Sequence, residues 1–206
     1  MKLQGLYGIT DGSTGQELID KVSAAIAGGL SILQYRDKTQ DYQTRLNDAL
    51  NLRELCCQHN IPFIINDDVQ LAKITHADGV HLGKDDSSIR HARLQLGHDA
   101  IIGVSCYKQL ALALSAQEQG ANYIAFGAFF NSPTKPEAPT VSIETLKVAR
   151  QKIHIPICGI GGITLDNAAQ VIDNGADMVA VISSLFCTDN ISETARQFSA
   201  LFKESP

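Results

Sequence analysis

No stretch of the sequence approaches the ~18 consecutive apolar residues of a membrane-spanning helix, so no membrane partner is expected. Positive charge is not in excess either. Lys and Arg total 17 against 22 Asp and Glu, a formal net charge of −5 at pH 7, so no overall basic field attracts nucleic acid. The small basic group Lys147, Arg150 and Lys152 is expected to be a solvated helix end. The opening MKLQGLYGITD turns polar within about ten residues, unlike a signal peptide. The five cysteines (Cys56, Cys57, Cys106, Cys158, Cys187) have neither metal-type spacing nor an even count. They are expected to be small buried hydrophobes in a reducing compartment, which points to the cytoplasm. Also missing are a Ser-His-Asp order, a catalytic cysteine context and a dinucleotide fingerprint. Gly159-Ile160-Gly161 has no third glycine at the spacing that fingerprint requires.

What the chain does contain is a recurring unit. The 206 residues, 44% of them apolar, suffice for one sizeable core. Eight short apolar runs recur: LYGIT (6–10), SILQY (31–35), PFIIN (62–66), GVHL (79–82), IIGVS (101–105), YIAFG (123–127), IPICGI (155–160) and MVAVIS (178–183). They are roughly 20 to 30 residues apart, the size of one βα unit. Their apolar character is continuous rather than alternating, as in parallel strands covered on both faces. The segments between read as helices. Leu18, Val22 and Ile26 repeat every four residues in the first, and later ones are predicted over 43–59, 108–119, 142–151, 165–174 and 191–203. Gly28-Gly29, Gly120 and Gly175 suit helix C-caps. Eight such units predict an α/β fold, a single-domain (β/α)₈ TIM barrel over 1–206. An open doubly wound sheet fits less well, because all eight units carry polar or glycine residues at the carboxyl end of the strand and an open sheet concentrates its site at one switch point.

In a barrel those strand ends converge on one mouth. Strand 1 ends in Thr10-Asp11. Strand 2 offers Gln34, Arg36 and Lys38, whose period-2 spacing aligns them if the chain stays extended, a good cradle for an anion. Strand 3 ends in Asn66, Asp67 and Asp68, and strand 4 leads through His81 into Lys84, Asp85 and Asp86. Any one of these carboxylates could cap a following helix. Two acidic ends on adjacent strands beside cations suit Mg²⁺, which takes one or two carboxylates together with substrate phosphates. His81 reads as a structural hydrogen bonder. Strand 5 ends in Ser105. The loop after strand 6, NSPTKPEAPT (131–140), carries Ser132, Thr134 and Lys135, apt for phosphate, in a stretch long enough to be a lid. After strand 7, Gly161-Gly162 precedes a helix, and strand 8 ends in Ile182-Ser183, where this fold commonly binds phosphate. The mouth thus has a cationic, acidic half suited to a diphosphate and a neutral backbone half suited to a monophosphate.

LYGITD, QYRDK, FIINDD, DGVHLGKDD, IIGVS, SPTKPEAP, IPICGIGGIT and GADMVAVIS, in this order, resemble the thiamine-phosphate synthase family over essentially the whole chain. The resemblance implies a (β/α)₈ barrel that joins 4-amino-5-hydroxymethyl-2-methylpyrimidine diphosphate to a thiazole monophosphate, releasing pyrophosphate. It implies that Gln34, Arg36, Lys38, Asn66, Ser105 and Lys135 meet the diphosphate, and that Asp67 and Asp86 hold Mg²⁺. Ser132 and Thr134, with Gly162 and the Ile182-Ser183 backbone, would hold the thiazole phosphate. Arg36, Lys38 and Lys135 would carry the catalytic charge stabilisation. The sequence departs from the family pattern at Lys84, where glutamine is usual, at Ser132, where threonine is usual, and at Ala128 and Asn131, where prolines are often seen. The partners expected are small-molecule substrates, and a homo-oligomer is compatible with the sequence. Three alternatives stand beside this reading. One is a barrel of the thiazole tautomerase-like branch, which tends to lack the metal carboxylates. Another is a phosphate-ligand-binding barrel without catalysis. The third is a barrel isomerase using His81 as base.

Overall fold

The structure is a computed structural model in which residues 3–38, 41–83, 86–131 and 140–202 are described. Among them run eight short strands: β1 (Gly5–Ile9), β2 (Ile32–Tyr35), β3 (Phe63–Asn66), β4 (Gly79–Leu82), β5 (Ile101–Tyr107), β6 (Tyr123–Gly127), β7 (Ile157–Ile160) and β8 (Met178–Val181). They close into a barrel in sequence order, each parallel to both neighbours, and β1 pairs with β8 as well as β2. That closure rules out the open sheet. The helices are α1 (Gly15–Ala27), α2 (Tyr42–Gln58), α3 (Val69–Ile74), α4 (Ile89–Leu96), α5 (Leu110–Glu118), α6 (Ile143–Arg150), α7 (Ala168–Ile172), α8 (Ser183–Phe186) and α9 (Ile191–Ala200).

Two cores follow from strand alternation. Leu6, Leu33, Phe63, Ile65 and Val80 point outward and pack beneath the helices with Leu18, Val22, Leu52 and Leu71. Tyr7, Ile9, Ile32, Ile64, Tyr123, Cys158, Met178 and Ala180 point inward and fill the barrel. The same parity turns Gln34, Asn66, His81 and Ser105 inward, toward the carboxyl ends of their strands. Burying each large apolar side chain in these layers contributes about 1.5–3 kcal/mol.

The amino end of the barrel is braced by a device that recurs every second unit. Asp78, Asn122 and Asp177 each stand just before an even-numbered strand. Each side chain accepts a backbone N–H from the preceding odd strand: Phe63 at 2.8 Å, Ile102 at 2.9 Å and Ile157 at 2.9 Å. An arginine from the even-numbered helix that precedes the odd strand clamps each one, Arg53 on Asp78, Arg93 on Asn122 and Arg150 on Asp177. Arg150, expected in a solvated helix end, is instead committed to Asp177 and to the Ile153 and Ile155 carbonyls. Its fork geometry lets it serve several acceptors at once, which a lysine in the same helix end does not do.

Three other expectations are corrected. The helix predicted over 165–174 is only Ala168–Ile172, because Asn167 folds the preceding turn. Its amide donates to the Gly162 carbonyl at 3.0 Å and accepts from the Thr164 N–H at 2.9 Å. The last strand stops at Val181, and the one-turn α8 begins at Ser183. Of the five cysteines, all unpaired, Cys57 and Cys187 are exposed rather than buried.

Candidate active site

The mouth at the carboxyl ends of the strands is assembled from short polar segments held by the strands before them. Thr10, buried at the end of β1, accepts the Arg36 N–H at 2.8 Å and donates to the Arg36 carbonyl at 3.1 Å. This clip fixes the chain as it leaves β2, beyond the last sheet residue. Lys38 then approaches Asp67, with Nζ 3.4 Å from Oδ2. Asp11, beside Thr10, turns away. Burial pushes its carboxyl up, but hydrogen bonds from Lys21 and Ser13 outweigh this and hold it low.

Asp67 lies at φ 62°, a left-handed conformation that aspartate tolerates better than most residues. Its N–H still donates to the His81 carbonyl at 2.8 Å, so the bend occurs while the β3–β4 ladder continues. The bend separates the roles of two adjacent carboxylates. Asp68 caps α3 by accepting the Leu71 N–H at 2.9 Å and pairs with Arg45 at 2.9 Å. Asp67 is left at the rim, where it meets Asp86. Burial pushes the Asp67 carboxyl above its ordinary range, the Asp86 carboxylate adds to the rise, and Lys38 opposes it. Asp86 is held by the Gly83 N–H at 2.6 Å, and capping of α4 falls to Ser88.

Inside the barrel, directly below the rim, runs an unbroken series of hydrogen bonds. Gln34 Nε2 donates to Tyr7 Oη at 2.8 Å, and Tyr7 Oη lies 2.7 Å from Tyr123 Oη. Tyr123 Oη lies 2.9 Å from His81 Nδ1, and His81 Nε2 lies 2.9 Å from Ser105 Oγ. Burial lowers the His81 imidazole to about 4, against a small pull upward from Asp86, so it is neutral at pH 7. Burial raises both phenols, which therefore remain protonated donors. Glycine at position 103 makes room for this array, since a methyl group there would overlap the Tyr123 ring.

The opposite half of the mouth is mostly backbone. Phe129 and Phe130 donate to the Ile160 and Gly161 carbonyls at 3.1 and 3.0 Å, so the chain after β6 lies against the turn after β7. Gly162, at φ 63°, faces the Phe130 carbonyl so closely that no Cβ fits. Ser184 Oγ donates to the Ile163 carbonyl at 2.7 Å, which brings the Ile182-Ser183 turn after β8 beside the Gly162 turn.

Gln34, Arg36, Lys38, Asn66, Asp67, Asp86, Ser105, Gly162, Ile182 and Ser183 thus all stand at or just below one mouth. Ser132, Thr134 and Lys135, together with Lys84 and Asp85, lie outside the described residues. A cleft of ≈ 270 Å³ bounded by Gly83, Asp86, Val104, Ser105 and Leu112 opens beside the Asp86 rim. A larger cavity, ≈ 720 Å³, lies at the other end of the barrel among Leu3, Pro62, Asp78, Asn122 and Pro156. The Asp78 and Asn122 acceptors there are engaged by backbone N–H groups and arginines that brace the barrel, whereas the smaller cleft is bounded by Asp86 and Ser105 of the mouth.

The thiamine monophosphate synthase family matches residues 6–185. The chain belongs to that family. A thiamine-phosphate synthase of Thiobacillus denitrificans is 46% identical over 203 residues, covering 98% of this chain and 96% of the relative. Among solved structures, a thiamine phosphate pyrophosphorylase from Pyrococcus furiosus superimposes with a TM-score of 0.88 at 31% identity, covering 98% of this chain and 96% of the other. The (S)-3-O-geranylgeranylglyceryl phosphate synthase of Thermoplasma acidophilum gives a TM-score of 0.72 at 18% identity, covering 97% and 92%, a likeness of fold alone.

Within this member of the thiamine monophosphate synthase family, sequence reasoning missed Tyr7 and Tyr123. Both sit in apolar runs and read as core. Their inward parity, shared with Gln34 and His81 on other strands, was the available signal. Among the described residues, no three His, Cys, Asp or Glu side chains gather as a self-sufficient metal site. Two carboxylates in contact, beside a lysine, form instead a partial oxygen donor set of the kind that Mg²⁺ completes with water and phosphate.

Proposed function

We propose that the protein is a thiamine-phosphate synthase. It condenses 4-amino-5-hydroxymethyl-2-methylpyrimidine diphosphate with thiazole monophosphate to give thiamine phosphate and pyrophosphate. The observation that carries this reading is the meeting of Asp67 and Asp86 at a rim that Lys38 also reaches, in a chain of this family.

Two like charges in contact are costly unless one is protonated or a cation lies between them. Asp67 and Asp86 would hold Mg²⁺, which supplies positive charge to the diphosphate when bound. Arg36, Lys38 and Lys135 bind the diphosphate oxygens. Their charge is better matched to the departing pyrophosphate than to the esterified group, so they lower the barrier to leaving. The bond between the pyrimidine methylene carbon and the diphosphate oxygen breaks, with the electron pair going to oxygen. The thiazole nitrogen then forms the new C–N bond with its lone pair. No protein nucleophile or base takes part, which suits a mouth whose imidazole is buried and neutral. Ser132, Thr134, the Gly162 turn and the Ile182-Ser183 backbone hold the thiazole phosphate so that its nitrogen faces the methylene carbon.

The presence of both Asp67 and Asp86 favours this reading over the tautomerase-like branch. An isomerase using His81 as base is disfavoured by the engagement of both ring nitrogens and by the lowered basicity. A calorimetric titration with the pyrimidine diphosphate tests the reading. Binding is expected to need Mg²⁺ and to be lost in Asp67→Asn. Equally tight binding without Mg²⁺ would favour a phosphate-binding barrel of another kind.

A further inference from the structure

The five side chains Gln34, Tyr7, Tyr123, His81 and Ser105 come from β2, β1, β6, β4 and β5, so the series crosses the barrel from one wall to another. Each internal member is buried, and its polar atoms meet one another rather than water. The rings are fixed by packing. Tyr7 meets Tyr123 edge-on with centroids 5.9 Å apart, and His81 stacks on Tyr123 at 5.5 Å.

Hydrogens are scarce in such a series, and this sets its direction. A hydroxyl has one hydrogen, a neutral imidazole one N–H, and an amide nitrogen donates without accepting. Gln34 Nε2 donates to Tyr7. The Tyr7 hydrogen is then free for Tyr123, and the Tyr123 hydrogen for His81 Nδ1. If each buried phenol spends its one hydrogen within the series, Nδ1 is bare, and the imidazole hydrogen then sits on Nε2 and points at Ser105 Oγ. With that oxygen already accepting from within the barrel, the Ser105 hydrogen is directed outward to the mouth.

We propose that this array has one polarity, running from Gln34 to Ser105, and that it presents the Ser105 hydroxyl as a hydrogen-bond donor to an anionic phosphate oxygen at the mouth. Tyr7, Tyr123 and His81 are positioning residues that act through Ser105, which touches the ligand. Identifying that oxygen with the diphosphate rests on the synthase reading, whereas the polarity does not. If Gln34 presented its carbonyl to Tyr7, every bond would reverse, and Ser105 would offer the mouth only lone pairs, which repel a phosphate oxygen.

The test has two parts, neither needing turnover. Nitrogen NMR of the histidine-labelled protein, with His81→Gln used to assign the His81 signals, reads the tautomer directly. Protonated Nε2 and bare Nδ1 are expected in the ligand-free protein, and the opposite tautomer overturns the polarity. Calorimetry with inorganic pyrophosphate and Mg²⁺ then compares Tyr123→Phe, Ser105→Ala and the double variant. Tyr123→Phe keeps the ring, frees the imidazole to take either tautomer, and is expected to weaken pyrophosphate about twofold when the two tautomers are equally populated. Tyr123 and Ser105 share no hydrogen bond, yet Tyr123→Phe should cost nothing further once Ser105 is alanine. Fully additive losses, or undiminished affinity in a folded Tyr123→Phe, would overturn the proposal. If the tautomer and the coupling are as expected but no thiamine phosphate is made, the synthase reading fails and the array stands.

Discussion

Asp67 and Asp86 reach each other from the ends of neighbouring strands, one at a left-handed residue and the other on the Gly83 N–H. Burial and mutual repulsion both favour the protonated form of Asp67, so its ionised form burdens the fold at neutral pH. A raised carboxyl contributes stability at low pH and loses it as pH rises through the folded value. Asp67→Asn should therefore abolish turnover while leaving the melting temperature at pH 7 unchanged or higher. Calorimetric melting beside an activity assay checks both halves of that expectation.

His81 makes a second, opposite prediction. Its unfolded imidazole takes up a proton near 6.5, whereas in the folded protein burial delays this to about 4. Between those values the unfolded state binds more protons, so stability falls as pH falls. The total loss from pH 7 down to pH 4 should be about 3 kcal/mol. Urea unfolding of wild type and His81→Gln across this range separates the histidine from the carboxylates, and the variant should lack that component.

The amino-terminal staples should matter to stability and not to chemistry. Asp177→Ala strands the Ile157 N–H and leaves Arg150 without its carboxylate. A cost of about 2–4 kcal/mol is expected, measured by denaturant unfolding. Turnover per folded molecule should be unchanged, since Asp177 stands at the barrel end away from the mouth.

Gly162→Ala should selectively damage the half of the mouth that we propose holds the monophosphate. The added methyl group meets the Phe130 carbonyl at a left-handed residue. Strain of about 1–2 kcal/mol is expected, with the turn displaced. Steady-state kinetics should show the KM for thiazole phosphate rising more than the KM for the diphosphate.

Strand number and order were legible because continuous apolar runs at βα spacing allow few other arrangements. Much of the rim was legible too, since polar residues that end buried strands must face the mouth. Asp67 and Asp68 show the limit. As neighbours with the same side chain they are distinguished only by the left-handed bend, which depends on the β4 ladder accepting the Asp67 N–H. The helix after β7 was overestimated because Asn167 hydrogen-bonds the turn instead of continuing the helix. Tyr7 and Tyr123 were unreadable as polar residues because their hydroxyls find partners only across the barrel, on strands far apart in sequence. The Arg–Asp staples do leave a trace, in the recurring HADGV, GANYI and GADMV, although its meaning depends on arginines about 25 to 30 residues earlier, one even helix away.

The most direct measurement mixes the purified protein with the pyrimidine diphosphate and thiazole phosphate, with and without Mg²⁺, and follows both products in time. Equal amounts of thiamine phosphate and pyrophosphate, formed only with Mg²⁺, are the predicted result. Folded protein that binds the diphosphate yet forms neither product would contradict the assignment.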